Sequence, residues 1–316
     1  MPGDAQLSQG RRLLLEPGAP FRLDLTAWAL RRRSHNALDR WDGSTYQRVV
    51  SIDGGPVAFL VTQDGAPDAP RLAVRLAGRP IDQHAEVLAR SALNRLFGLT
   101  VDLSEFAAMA APDPLLGPLA ERMRGLKPPR FPTVFETLVN GVACQQLSLA
   151  VGVHLLNRLV ADRGRPMSEN PDGPRAFPTP EELATVQPDE LKLHGCSFTK
   201  ARTIVETARA IVAGDLDMES LEHVDDRAAI ERLTSLRGVA RWTAEYVMLR
   251  GPRPPAHLSR RRVGARNKLR RFFDIDTELD YESVKRLVAP WQPYAGVVYF
   301  HLLLDSLSQT RVVASA

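Results

Sequence analysis

Two periodicities divide this 316-residue chain, and together they leave few folds open. From Phe21 to about Gly78 apolar and polar residues alternate in short runs, FRLDLTAWAL, TYQRVVSI, PVAFLVTQ and RLAVRLAG, broken by SHNALDRWDGS, DGG and DGAPDAP. A period of two between turn-forming clusters predicts antiparallel strands. Ile81 to Phe97 then carries apolar residues at helical spacing, which lays one helix on that sheet. After GLTVDLSEF the pattern changes to a 3.6-residue period in segment after segment: PLLGPLAERMRG, TVFETLVNGVACQQLSLAVGVHLLNRLVADRG, TPEELATV, PDELKLHG, TKARTIVETARAIVAG, DDRAAIERLTSL and VARWTAEYVMLRG. Several of these open on Thr, Pro or Asp and close on Gly, as helix boundaries do. The expected fold class is α+β. An N-terminal antiparallel sheet domain with a helix occupies residues 1–104, and an all-α domain occupies residues 105–316. The proline-rich stretch GRPMSENPDGPRAFPTP reads as a loop inside the second domain.

Composition removes several function classes. Cys144 and Cys196 are the only cysteines, so neither a disulfide framework nor a four-cysteine iron–sulfur cluster is available from this chain. No apolar run approaches the ~20 residues of a membrane span, and MPGDAQLSQGRRLLLEPG carries acid and proline where a secretory signal carries an unbroken apolar region. A cytoplasmic protein without membrane contact is expected. The net charge of +4 suits a polyanionic partner but is a weak signal by itself.

The chemistry-bearing stretch is Leu236-Arg237-Gly238-Val239-Ala240-Arg241-Trp242-Thr243-Ala244-Glu245-Tyr246, between the helical segments AAIERLTS and RWTAEYVMLRG. A tight glycine turn between two helices leaves backbone N–H groups at the second helix's start, able to hold a DNA phosphate without reading sequence. Taken alone, it is equally an ordinary helix–turn–helix connection. The stretch resembles the helix-hairpin-helix of the DNA glycosylase superfamily, whose usual pattern is Leu-Pro-Gly-Val-Gly. Gly238 matches, Arg237 replaces the proline and Ala240 the second glycine; if that second position needs a positive φ, alanine there costs about 1 kcal/mol.

Upstream, KPPRFPTVFETLVNGVACQQLSLAVGVHLLNRL resembles the 3-methyladenine DNA glycosylase II (AlkA-like) family within that superfamily. The match implies that Leu147 is the wedge entering the duplex where a damaged nucleotide leaves, with Gln146 beside it. Periodicity alone makes Leu147 one more core leucine. Trp242 and Tyr246, four residues apart, share a helix face; they are either an aromatic pocket for an electron-poor alkylated base or aromatic core packing. The glycosylase/lyase branch has a nucleophilic lysine where Trp242 stands, so the resemblance is to the hydrolytic, monofunctional branch. His301, mid-helix among apolar residues, reads as a core histidine. The likeness extends over FRLDLTAWALRRRSHNALDRWDGSTYQRVV, VGARNKLRRFF and WQPYAGVVYFHLLLDSL. It implies base-excision repair, double-stranded DNA containing damaged bases as the partner, a monomer associated with the nucleoid, no catalytic cofactor, and a structural monovalent cation on the hairpin carbonyls. Gly238, Ala240 and Arg241 are the expected DNA-binding residues of the hairpin.

One family residue is missing. Hydrolysis of an N-glycosidic bond builds positive charge on the sugar, which a carboxylate must oppose. The family supplies an aspartate in Phe-Pro-Gly-Asp-Asp, directly before Val-Gly-Ala-Arg and twenty residues after the pocket tryptophan. Twenty residues after Trp242 stands Arg262, in Leu258-Ser259-Arg260-Arg261-Arg262-Val263-Gly264-Ala265-Arg266. Arginine keeps its proton and repels the developing cation, and it meets a helix N-terminus with the wrong sign. Either the chain is an inactive homologue that binds damaged DNA, or the segment is out of frame. GC-rich codons for a family-like Leu-Gly-Arg-Leu-His-Ile-Phe-Pro-Gly-Asp-Asp, preceded by one extra C, translate as Pro252 to Arg262 residue for residue. A compensated pair of frameshifts over 252–262 is therefore a second explanation, and Arg253, Arg260, Arg261 and Arg262 would then be spurious basic residues.

Overall fold

The computed structural model describes residues 10–170, 173–192, 195–251 and 263–309. The N-terminal part contains β1 (Arg11–Leu15), α1 (Leu23–Arg31), β2 (Arg40–Trp41), β3 (Thr45–Ile52), β4 (Gly55–Gln63), β5 (Leu72–Ala77) and α2 (Gln83–Phe97). The strands form one antiparallel sheet in the order β1-β5-β4-β3-β2. β3 and β4 join through Asp53 and Gly54, both at positive φ, which is the two-residue turn whose twist matches a hairpin. Asp82 caps α2, accepting from the Ala85 N–H, and Ala89, Leu93, Leu96 and Phe97 pack into the same core as Val57, Phe59, Val61 and Val74 of the sheet.

Two segments depart from the sequence expectation. FRLDLTAWAL alternates like a strand but forms the helix α1. The reason lies in burial on two sides: Leu23, Ala27 and Leu30 face the sheet core, whereas Leu25 and Ala29 enter a second core built from C-terminal helices. Two apolar stripes on one helix put apolar side chains at 23, 25, 27 and 29, which imitates a period of two. The edge strand β1 was not anticipated; its five residues pair in register from Arg11↔Leu76 to Leu15↔Leu72.

The remainder is helical: α3 (Ser104–Ala110), α4 (Leu116–Arg122), α5 (Val134–Ala143), α6 (Leu149–Arg163), α7 (Pro180–Ala184), α8 (Pro188–Lys192), α9 (Phe198–Val212), α10 (Asp226–Ser235), α11 (Arg241–Arg250), α12 (Val263–Phe272), α13 (Tyr281–Val288) and α14 (Ala295–Gln309). Within the proline-rich loop, β6 (Arg165–Pro166) and β7 (Arg175–Ala176) make a short antiparallel pair. The helices gather around two apolar clusters. One joins α5, α6, α9, α10 and α11 through residues such as Leu138, Leu156, Ile204, Leu233 and Val247. The other joins α3, α4, α13 and α14 through Phe106, Leu119, Val284 and Phe300. His301 is buried in the second, where its Nδ1–H donates to the Val297 carbonyl and burial pushes its pKa down to about 4.

A buried ionic knot ties the sheet to the helical part. Arg48 of β3 donates to Asp39 at 2.6 Å and also to Glu136 of α5, and the Tyr46 hydroxyl donates to Asp39 at 2.6 Å. Burial alone would raise the Asp39 carboxyl, but Arg48 and Tyr46 hold it below its ordinary value. For Glu136, burial wins and its carboxyl is raised.

Candidate nucleic-acid interface

The site is built where α5 ends and α6 begins. Thr133 caps the start of α5 and Ser148 the start of α6, each side chain accepting from a backbone N–H three residues on. Between them the chain turns at Gln146, whose φ of 53° is left-handed and sparsely populated by side chains other than glycine. Gln146 and Leu147 are exposed, Leu147 by 41 %. The leucine is thus not a core residue. With the half-exposed Val151 it presents an apolar edge beside the turn.

The hairpin lies against this turn. Gly238 has φ 75°, and a Cβ placed on it collides with the Thr203 hydroxyl of α9, so glycine suits both backbone and space. Ala240 has φ −78° and ψ 164°, ordinary extended backbone. The strain foreseen for alanine there does not arise, because this position is the N-cap of α11 and needs no positive φ. Alanine brings no capping oxygen, however, and no side chain caps α11. Arg241 is exposed and pairs with Glu245 at 3.1 Å. Arg237, where the family pattern has proline, lies 3.4 Å from Glu206 of α9, which Arg202 also binds at 2.6 Å.

Trp242 is half-buried and stacks on Tyr246, ring centroids 6.1 Å apart and planes 17° from parallel. Tyr246 lies beneath it, 1 % exposed. α11 approaches α5 closely because Gly141 has no side chain; a Cβ there would meet the Tyr246 ring at 3.0 Å and the Thr243 methyl at 3.1 Å. Arg32 donates to the Tyr246 hydroxyl at 3.2 Å and to the Asn140 amide oxygen at 2.8 Å. Arg32 comes from the end of α1, at φ 59°, and reaches the helical part buried.

Sequence reasoning missed Arg32, Asn140, Gln145 and Lys200. Arg32 is one of three consecutive arginines, and nothing in the run says which turns inward. Gln145 donates to the Gly238 carbonyl at 3.0 Å and to the Thr243 hydroxyl at 2.7 Å, and so bridges the turn and the hairpin. Arg262 and the whole of 252–262 lie outside the described residues.

Two hairpin carbonyls already have partners: Leu236 accepts from the Val239 N–H and Gly238 from Gln145. A monovalent cation there would share these oxygens. Among the described residues no cluster of three or more His, Cys, Asp or Glu is placed to hold a metal, both cysteines are free, and no helix is long and apolar enough to cross a membrane.

A sheet domain ahead of a helical body, with an exposed leucine turn packed on a glycine hairpin and an aromatic pair one turn further on, is the architecture of a helix-hairpin-helix glycosylase. A solved 3-methyladenine DNA-glycosylase from Archaeoglobus fulgidus has the same fold, with a TM-score of 0.81 over 94 % of this chain and 98 % of its own at 22 % identity. By sequence, residues 12–132 match the AlkA N-terminal domain and residues 139–293 the HhH-GPD superfamily base excision DNA repair proteins. A DNA-3-methyladenine glycosylase of Bacillus subtilis is 28 % identical over 71 % of this chain and 74 % of its own length. DNA-3-methyladenine glycosylase 2 of Escherichia coli is 29 % identical over 70 % of this chain and 74 % of its own. The chain belongs to the HhH-GPD superfamily of base excision DNA repair proteins, in its AlkA-like branch.

Proposed function

We infer that this protein is a base-excision DNA glycosylase that acts on double-stranded DNA containing alkylated purines such as 3-methyladenine, hydrolysing the N-glycosidic bond without cutting the strand. The observation that carries this reading is the joining of the Gln146–Leu147 turn to the Gly238 hairpin by Gln145, with Trp242 stacked on Tyr246 directly behind. A wedge, a phosphate-facing turn and an aromatic platform then act at one place on the duplex. Leu147 fills the gap left by the departing nucleotide, the Gly238–Arg241 backbone faces the phosphates, and Trp242 supplies a π-face for a cationic base. Trp242 has no nucleophile, so release is by water and not by an enzyme amine. The same reading puts the protein with chromosomal DNA, in the cytoplasm at the nucleoid.

A second reading is favoured by Arg262. With arginine in the family's aspartate position the chain as written binds damaged DNA and does not excise, because the cation opposes the transition state; loss of such an electrostatic contribution costs ~10²-fold or more. The test measures free-base release from 3-methyladenine duplex by the unmodified chain, by Arg262→Asp, and by a chain whose residues 252–262 are replaced with Leu-Gly-Arg-Leu-His-Ile-Phe-Pro-Gly-Asp-Asp. Release only by the last, without strand nicking, supports a misread segment in a glycosylase. Robust release by the unmodified chain removes the inactive reading and assigns the work to another carboxylate. No release by any of the three and no preference for damaged duplex overturns the glycosylase reading.

A further inference from the structure

Helix α5 ends with carbonyls that have no partner within the helix, as every helix does. Here a side chain from another helix answers them. Lys200 of α9 donates through Nζ to the Ala143 carbonyl at 3.1 Å and to the Gln145 carbonyl at 2.7 Å, and only 9 % of the residue is exposed. Burial lowers its pKa, opposed by the thiols of Cys196 and Cys144. One turn further along α9, Thr203 lies under Gly238 and fixes how closely the hairpin sits. The Gln145 side chain reaches from the turn to the hairpin's Gly238 carbonyl and to Thr243 of α11. Directly after both attachments comes Gln146 in its left-handed conformation, a backbone state that persists only where its surroundings impose it.

We propose that Lys200 and Gln145 are positioning residues, a two-point clamp that holds the Gln146–Leu147 turn at a fixed distance from the Gly238 hairpin so that wedge and phosphate contacts engage one duplex together. The proposal rests on the DNA glycosylase reading above. Neither residue meets the nucleic acid. Lys200 is buried and places two of its three donors on protein carbonyls, and Gln145 spends its amide protons on Gly238 and Thr243. The clamp's effect is therefore selective. Intact duplex needs only the phosphate contacts, which survive a loosened turn. A distorted lesion duplex needs wedge and hairpin in register, and a misplacement of about an ångström there is penalised by ten- to a hundredfold.

The test compares Lys200→Met, Lys200→Arg and Gln145→Leu with the parent chain in two measurements. The first is hydrogen exchange at the amides of residues 145–148 without DNA. The second is the ratio of affinities for a duplex containing a stable abasic-site analogue and for the same duplex intact. Expected are faster exchange at the turn in Lys200→Met and Gln145→Leu and a fall of about tenfold in the affinity ratio, with intact-duplex affinity within about twofold of the parent. Lys200→Arg, which keeps the cation and its donors, retains the parent ratio. Unchanged exchange in Lys200→Met overturns the clamp, as does an equal loss of both affinities, which makes Lys200 a direct phosphate ligand or a purely structural residue. If exchange rises as expected but the parent chain itself shows no preference for the abasic duplex, the clamp stands and the glycosylase reading fails.

Discussion

Replacing Leu147 with alanine separates wedge from core cleanly, because the structure gives the two roles different energies. A fully buried leucine truncated to alanine costs about 2–5 kcal/mol of stability. Leu147 is 41 % exposed on a turn, and losing its covered portion is expected to cost about 1–2 kcal/mol, below the range of a fully buried leucine. The exposed fraction is what a wedge would bury. Full burial of a leucine side chain gives roughly 1.5–3 kcal/mol, so the portion still exposed offers about 1 kcal/mol when it enters a lesion gap, a factor of about five in affinity. Leu147→Ala should therefore unfold only a few degrees below the parent, bind intact duplex unchanged, and bind abasic-site duplex about fivefold more weakly. Fluorescence anisotropy on the two duplexes and a thermal melt decide it. A melting point lower by many degrees with an unchanged affinity ratio would refute the reasoning and return Leu147 to the core.

Gly238→Ala should cost about 2–3 kcal/mol, because a side chain at φ 75° is strained by roughly 1 kcal/mol and the new methyl displaces Thr203 from its bond to the Thr199 carbonyl; adding Thr203→Ala should recover the steric part in a urea melt but not the backbone part, and full recovery would show that φ carries no strain. His301 binds its proton with a pKa of about 4 in the folded state and near 6.5 when unfolded, so between those values the unfolded chain holds more protons and stability falls as pH falls. Its contribution to that loss approaches about 3 kcal/mol by pH 4, and His301→Phe should flatten the slope of unfolding free energy between pH 7 and 5; parallel slopes for the two chains would contradict it.

Helices such as α2 and α10 are legible in the sequence because each buries one face, and one-sided burial prints its own period. Helix α1 was not legible for the opposite reason: Leu23, Ala27 and Leu30 answer to the sheet while Leu25 and Ala29 answer to C-terminal helices, and two superimposed stripes read as alternation. The same division holds at the site. Gly238, Trp242 and Tyr246 are local signals, residue types whose spacing is visible without a fold, whereas Leu147 was singled out only by the family resemblance, since its spacing alone made it a core leucine. Which side of the hairpin carries a backbone constraint was not visible: Gly238 needs its positive φ, whereas Ala240 sits in extended backbone and needs none.

What only the tertiary structure decided is how these local pieces are held. Arg32 reaches Tyr246 and Asn140 across a sequence separation of more than a hundred residues, Gln145 ties the turn to the hairpin, and Lys200 closes the end of a helix it does not belong to. Each of these is a polar side chain whose partner is a backbone carbonyl, a side-chain amide oxygen or a hydroxyl far along the chain. Apolar burial repeats with the helix and so leaves a periodic trace, but a single donor meeting a distant acceptor repeats nothing, and its position is settled only when packing brings the two together.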